Sequence, residues 1–533
     1  MTFAGFPLLA RLAVRRNWIF WTIWIAALWL TTVATVAAYE RVVPPGANVQ
    51  VTMAALGGNP TMRAMLGPPF DLLTAGGFTM WRVGTFVATA AAAMAALGVI
   101  RATRGEEEDG RIELLRAGAI GRHAPLAAGV AVASAACLVL GGLIAVVMSR
   151  TAPPASGAVA TGLGIALVGF VFVGVGAVAA QLTESARSAR GLTMSALGAA
   201  YLLRAVADGS STDSPLRELN WISPLEWAAL ARPYAAERWW VLALPLVLGL
   251  VLVGVAFVLE DRRDHGAGLR PTRPGPATAA PSLASARGLA MRLQRSTLIG
   301  WTVGIVVFGL TMGSLSDAFG TMLTDTPELA EMFRRMGGGA QVLRDAFYTA
   351  MLGILVVVLA MLGVSLLGRL RREEEVGHAE ALLATAISRR EFALSHLVPA
   401  LVAPAVLALV AGGALAVPDA LRGGGVDVVV QTAGAGLALV PGIWLVVGVA
   451  MLLHGWAPRW VGLGWALVGW SLFIVWIGEI LNLPSWLLTL TPFATLPRMP
   501  AEAMAWTPVL LETALAVVFV IVGLVGYRRR DIG

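Results

Sequence analysis

The sequence predicts an all-α, polytopic membrane protein, and three observations lead there. Hydrophobic residues make up 57% of the 533, charged residues only 13%, and mean hydropathy is +0.77. Water-soluble globular domains do not reach these values. The apolar residues gather in runs of about 20, the length a helix needs to cross roughly 30 Å of hydrocarbon. The runs are continuous and rich in Ala, Leu, Val and Gly, without the alternation over about ten residues that marks barrel strands.

Twelve spans are expected, at residues 18–39, 80–100, 124–148, 157–181, 189–208 and 239–259, then 297–317, 347–367, 393–417, 428–453, 459–481 and 506–526. Ahead of the first, Phe3, Phe6, Leu8, Leu9 and Leu12 alternate with Arg11 and Arg15. That pattern reads as an interfacial amphipathic helix that stays attached, not a removable signal. Placing the N-terminus in the cytoplasm puts 26 arginines inside and 12 outside, with Arg204 in a span. The positive-inside rule favours that orientation, with both termini cytoplasmic. Cys137 stands alone in an apolar run, which excludes a disulfide framework and a Cys-based metal site.

The chain repeats itself. Shifted by 267, Arg104–Arg122 falls on Arg371–Arg389 with eleven of nineteen positions identical, among them Arg104, Glu106, Glu107, Glu108, Gly110, Glu113 and Leu115. The same shift carries Arg262, Arg263, Asp264 and Gly266 onto Arg529, Arg530, Asp531 and Gly533, and the segment 222–227 resembles 490–495. Two parallel six-helix repeats follow: a first half at 1–266, a Pro, Ala and Arg-rich linker at 267–287, and a second half at 288–533.

The duplicated stretch carries the functional argument. Between Arg101 and Arg116 stand five carboxylates and four arginines, a net charge of −1 in a loop where a positive surplus is the norm. Anionic headgroups repel such a cluster, so it should face a protein partner or its own arginines. Glu106–Glu108 begin a short surface helix, Gly110 permits a bend, and Leu114 and Leu115 offer an apolar edge. All 39 basic residues are arginine, so a P-loop, which needs a lysine on the β and γ phosphates, is excluded. No H-E-x-x-H or G-x-S-x-G motif appears, which leaves no enzyme reading.

At these residues the chain resembles the membrane subunit of actinobacterial ABC exporters of the tetronasin-resistance type, related to mycobacterial multidrug efflux permeases. The resemblance implies an ABC-2, type V exporter-like pseudo-dimer in the plasma membrane, with ATP and Mg held by a partner ATPase present in two copies per chain. It implies that the two acidic loops couple to that partner through Arg104, Glu106, Glu107, Glu108, Gly110, Arg111, Glu113, Leu114 and Leu115. The second set is Arg371, Glu373, Glu374, Glu375, Gly377, Glu380 and Leu382, where His378 and Ala381 depart from the first copy. Charge reversal at Glu107 and Glu108 is then expected to leave the fold intact and weaken the partner. The resemblance also implies a substrate cavity for small amphipathic molecules, faced by spans two, five, eight and eleven. Its flexible and aromatic candidates are Trp81, Met94, Met194, Tyr201, Phe347, Tyr348, Met351, Trp465, Trp470 and Phe473. The alternatives are a proton-coupled carrier, for which Arg204, Glu479, Glu512 and His454 make a poor midplane relay, and an exporter of lipid or glycolipid. No metal and no nucleic-acid partner are expected.

Overall fold

The computed structural model describes residues 2–42, 60–111, 120–210, 214–264, 266–270, 275–325, 340–477, 487 and 490–530. Every regular element among them is helical, as an apolar surround demands of a backbone that must satisfy its own N–H and C=O groups. The chain divides into two compact units, Met1–Gly275 and Pro276–Gly533. The boundary falls inside the Pro, Ala and Arg-rich segment, whose first residues are not free: Leu269 and Arg270 donate backbone hydrogen bonds to Gln181 and Leu182.

In the first unit, α1 (Phe6–Val42) is one unbroken helix. Residues 6–17 therefore continue the span, which corrects the expectation of a separate interfacial helix. Phe6 and Leu9 pack on Ile120, Ala124 and Ala128, fastening the helix start to the following loop. Then come α2 (Pro60–Leu66), α3 (Ala75–Glu108, with a π turn at Met80–Gly84 and a break at Thr103), α4 (Ala124–Thr151), α5 (Ala155–Leu182), α6 (Ala186–Gly209) and α7 (Trp239–Asp261). The core lies around α5, which packs on α3, α4 and α7. Small residues set that closeness: a Cβ on Gly141 or Gly162 would lie 2.3 Å from the other's carbonyl oxygen, so α4 and α5 touch backbone to backbone. Cys137 is a buried member of this core.

The second unit holds α8 (Ala286–Asp325), α9 (Ala340–Glu375), α10 (His378–Leu383), α11 (Arg389–Asp419), α12 (Gly425–Ala438), α13 (Val440–Trp456), α14 (Gly462–Ile477) and α15 (Trp506–Arg529). Here α13 and α15 pack backbone to backbone through Gly455 and Gly523. Among the described residues, nine helical stretches are long and apolar enough to cross a bilayer, against twelve expected. The spans expected at 393–417 and 428–453 lie in one stretch, Arg389–Trp456, which turns at Gly423 and Gly425 with φ of 115° and 75°. The α6 helix carries Arg187, Arg190, Arg204 and Asp208, which lower its hydropathy, and α14 is described over only 16 residues.

Candidate functional site

The acidic loop of the first unit is built on the end of α3. At Thr103 the backbone leaves the helix (φ −119°, ψ −87°), one further turn holds Arg104–Glu108, and Gly110 reverses the chain at φ 69°. This break turns Arg104 and Glu107 inward. Glu107 accepts a forked pair of bonds from Arg263 Nη1 and Nη2 at 2.8 and 2.9 Å and a third from the Gly266 backbone N–H at 2.8 Å. Arg104 Nη1 stands 3.1 Å away, and the side chains of Arg104, Glu107 and Arg263 are only 1%, 5% and 8% exposed. Arg104 also donates to the carbonyls of Ala180 and Ala267, and Arg263 Nε donates to Gln181. One buried carboxylate thus ties the ends of α3, α5 and α7 together. Two guanidiniums and several backbone bonds offset its desolvation, the condition under which a buried ion pair holds.

The second unit repeats the clasp with different neighbours. Glu374 pairs with Arg530 Nη2 and with His454 Nε2 at 3.1 Å, while Arg530 Nη1 donates to the His454 carbonyl at 2.7 Å. The His454 ring lies on Tyr527, centroids 5.6 Å apart. Adding 267 to Glu107 and Arg263 gives Glu374 and Arg530, and the two partners are 156 residues apart in both units. The clasp therefore joins two stretches that the sequence repeats separately. Sequence reasoning found both stretches and missed that they bind each other; the equal spacing was the signal.

The other candidates for coupling divide between internal pairs and open surface. Glu106 is shared by Arg16 and Arg111, and its hydrogen bond raises the Arg111 pKa above the ordinary value. Its counterpart Glu373 meets Arg369 at 3.3 Å and His378 at 2.9 Å. Glu108 accepts from the Ala186 N–H at the start of α6, and Arg371 pairs with Glu375 at 2.6 Å and with the Pro458 carbonyl. Gly377, at φ 81°, ends α9 and lets α10 begin, bringing Glu380 to the surface and leaving Leu382 half-buried. Glu108, Asp109, Glu375, Val376, His378 and Glu380 are exposed. Glu113, Leu114 and Leu115 lie outside the described residues. The expectation that Glu107 can be reversed without harm is corrected: an arginine there would face Arg104 and Arg263 in a closed space.

The ten candidates for a substrate cavity have different surroundings within their own units. Met94 is fully buried, on the α3 face that carries Ala91 and Ala95 into the core. Trp81 packs on Leu72 and Phe78 and donates to the Gly67 carbonyl. Tyr201 bonds the Met65 carbonyl and lies under Arg204, and Met194 packs on the first unit's core. In the second unit Tyr348 is fully buried, Phe347 is tilted against it, and Met351 is half-buried. Trp470 stacks on Phe473, and Trp465 is exposed. A small space in the first unit opens beside Trp81, Thr85 and Pro233, and a larger one in the second beside Gly353 and Phe493.

Sequence reasoning also missed Glu226. It is fully buried, 3.9 Å from Arg204, whose Nη1 is 3.2 Å from Asp208. Asn220 Nδ2 donates to Asp208 at 2.8 Å. A glutamate inside an otherwise apolar segment, Trp221–Leu230, was the available sign.

Comparison with known proteins places these features. The family described as the C-terminal domain of the multidrug efflux system permease Rv1217c matches residues 283–528. The multidrug efflux system permease protein Rv1217c of Mycobacterium tuberculosis (strain ATCC 25618 / H37Rv) is 38% identical over 538 positions, covering 99% of this chain and 96% of that protein. The match runs over nearly the whole chain, and the chain belongs to the family of mycobacterial multidrug efflux permeases.

Proposed function

We propose that the chain is the membrane subunit of an ATP-driven exporter of small amphipathic molecules, and that two copies of a separate ATPase dock on its two acidic loops. The observation that carries this reading is similarity over 99% of the chain to a multidrug efflux permease in a chain that has no lysine for a P-loop. In this reading the twelve spans form two parallel repeats with both termini and both acidic loops in the cytoplasm, as the arginine distribution favours. The exposed Glu108 and Asp109 on one loop, and Glu375, Val376, His378 and Glu380 on the other, are the surface offered to the ATPase. The clasps beneath them carry the loop's displacement to α7 and α15.

The test reconstitutes the chain with and without its ATPase. The chain alone hydrolyses no ATP, and substrate-stimulated hydrolysis appears only with the partner present. Changing Glu375 and Glu380 to Arg leaves the fold unchanged and lowers partner affinity by tens to thousands of fold, the scale of about 2 to 5 kcal/mol for a charge pair broken across an interface. Hydrolysis by the isolated chain, or unaltered partner binding in this double variant, refutes the reading.

A further inference from the structure

The repeat sets His378 where the first unit has Arg111, 267 positions earlier, and the two residues make the same contact. Arg111 Nε donates to Glu106 at 2.8 Å, and His378 Nδ1 stands 2.9 Å from Oε2 of Glu373, the equivalent of Glu106. Each pair closes over a chain reversal: Gly110 precedes Arg111 at φ 69°, and Gly377 precedes His378 at φ 81°. On its other side each glutamate is tied to the helix that opens its unit. Arg16 of α1 pairs with Glu106, while Arg369 Nε lies 3.3 Å from Glu373 and its Nη1 donates to the Leu293 carbonyl of α8 at 3.0 Å. Glu106 and Glu373 thus brace their loops in the same way.

The braces differ in one property. A guanidinium keeps its charge throughout the physiological range, whereas histidine ordinarily titrates between about pH 5 and 8. Residues 101–122 contain no histidine, and His123, the next residue, is turned to Glu260 of α7 at 2.7 Å. His378 opens α10, where Ala379 is fully buried and Glu380 and Ala381 are exposed. Charging His378 therefore pins the start of α10 to Glu373, and with it the direction in which Glu380 is presented. The other charged groups around the pair are Arg369 and Arg372 on α9, Glu380 on α10, and His396 on α11, which accepts from Gln294 Nε2 at 3.3 Å and lies in the field of Glu373. Glu374 is held by His454 and Arg530, and Glu375 by Arg371. The His378 side chain is 66% exposed, so protons reach it directly from the solvent.

We infer that His378 is a proton-sensitive positioning residue, through which the second acidic loop, unlike the first, offers its surface to the ATPase in a pH-dependent way. Below the histidine range the imidazolium and the Glu373 carboxylate form an ion pair, the counterpart of Arg111 with Glu106, and α10 is held ready for docking. As the pH rises through that range the charge is lost, a neutral hydrogen bond remains, and affinity falls. An exposed pair contributes little, so the change is about two- to fivefold. The inference rests on the exporter reading for its effect on docking, and the brace itself is measurable without the ATPase.

The test places a nitroxide on α10 of the full chain in lipid nanodiscs through Ala381→Cys, an exposed site; Cys137 is buried and stays unlabelled. Without the ATPase, the label is less mobile at about pH 5.5 than at about pH 7.5, with its midpoint in the histidine range. His378→Arg gives the less mobile spectrum at both values, and His378→Gln the more mobile one. With the ATPase added, the unlabelled wild-type chain binds about two- to fivefold tighter at the acid value, relative to the ratio for His378→Arg, which reports the partner's own pH response. Arg111→His makes the first loop titratable as well and enlarges that ratio. A label indifferent to pH, a pH response that survives in His378→Gln, or a binding ratio equal to that of His378→Arg overturns the inference. A label that follows pH in a chain that binds no ATPase at any pH overturns the exporter reading and leaves the brace standing.

Discussion

Glu107 and Glu374 occupy equivalent positions in the sequence repeat and differ in what surrounds them. Glu107 is held by two guanidiniums and a backbone N–H in a closed pocket, and Glu374 by one guanidinium and an imidazole in a pocket slightly more open. Glu107→Gln removes the charge from between two buried arginines, so it is expected to cost about 3–5 kcal/mol. Glu374→Gln is expected to cost less, because it leaves one guanidinium without its carboxylate where Glu107→Gln leaves two. Thermal unfolding of both variants in the same detergent checks the order; equal small losses would show that neither clasp bears on stability. A Glu107→Gln, Arg263→Met double variant recovers part of the loss if the pair is coupled, because no uncompensated guanidinium remains at position 263.

Helix pairs in this protein approach through glycine. Gly141 on α4 and Gly162 on α5 leave no room for a side chain, each Cβ position being 2.3 Å from the opposite carbonyl oxygen. Gly162→Val is therefore expected to force the helices apart and lower stability by about 1–3 kcal/mol. Gly191→Ala on α6, exposed and with nothing within 4 Å of the new methyl, is expected to raise helix stability by about 0.5–1 kcal/mol. Opposite signs in a denaturation series check the pair. The nine long apolar stretches among the described residues were readable from hydropathy, since length and apolarity are local properties. Which side of a span is buried was not: α3 is apolar nearly all round, so Met94 and Trp81 gave no rotational phase to read. The same uniformity hid the lining of the second unit's cavity, where the neighbours of Tyr348 and Phe473 turn inward and those residues do not.

For the whole molecule, the energy source decides between the exporter and a proton-coupled carrier. Glu479 lies outside the described residues; among those described, Glu512 bonds Thr495 Oγ1, Asp208 pairs with Arg204, and Glu226 stands 3.9 Å from the same guanidinium. Transport by the complete complex is accordingly expected to persist when an uncoupler collapses the proton gradient at constant ATP, and Glu512→Gln is expected to reduce efflux less than twofold. Efflux assays in energised cells or proteoliposomes decide it; a loss of transport with the gradient favours the carrier.

Composition, span positions and the duplicated loops are determined by the sequence alone, because each depends on residues close together in the chain or on one stretch resembling another. The repeat also located both halves of the clasp, Glu107 with its loop and Arg263 with the closing motif. Only the tertiary structure decided that they meet, since partners 156 residues apart are joined by the packing of α3, α5 and α7 and not by any local preference. It likewise decided which partners equivalent positions meet. Arg204 and Ser471 are one difference in a column of letters, yet the first donates to the carbonyls of Ala64 and Met65, 140 and 139 positions away, and the second donates to the Leu467 carbonyl and accepts from Thr491 Oγ1. Long-range backbone bonds of that kind leave no periodic trace in a sequence, which is why this anchoring was visible only in the fold.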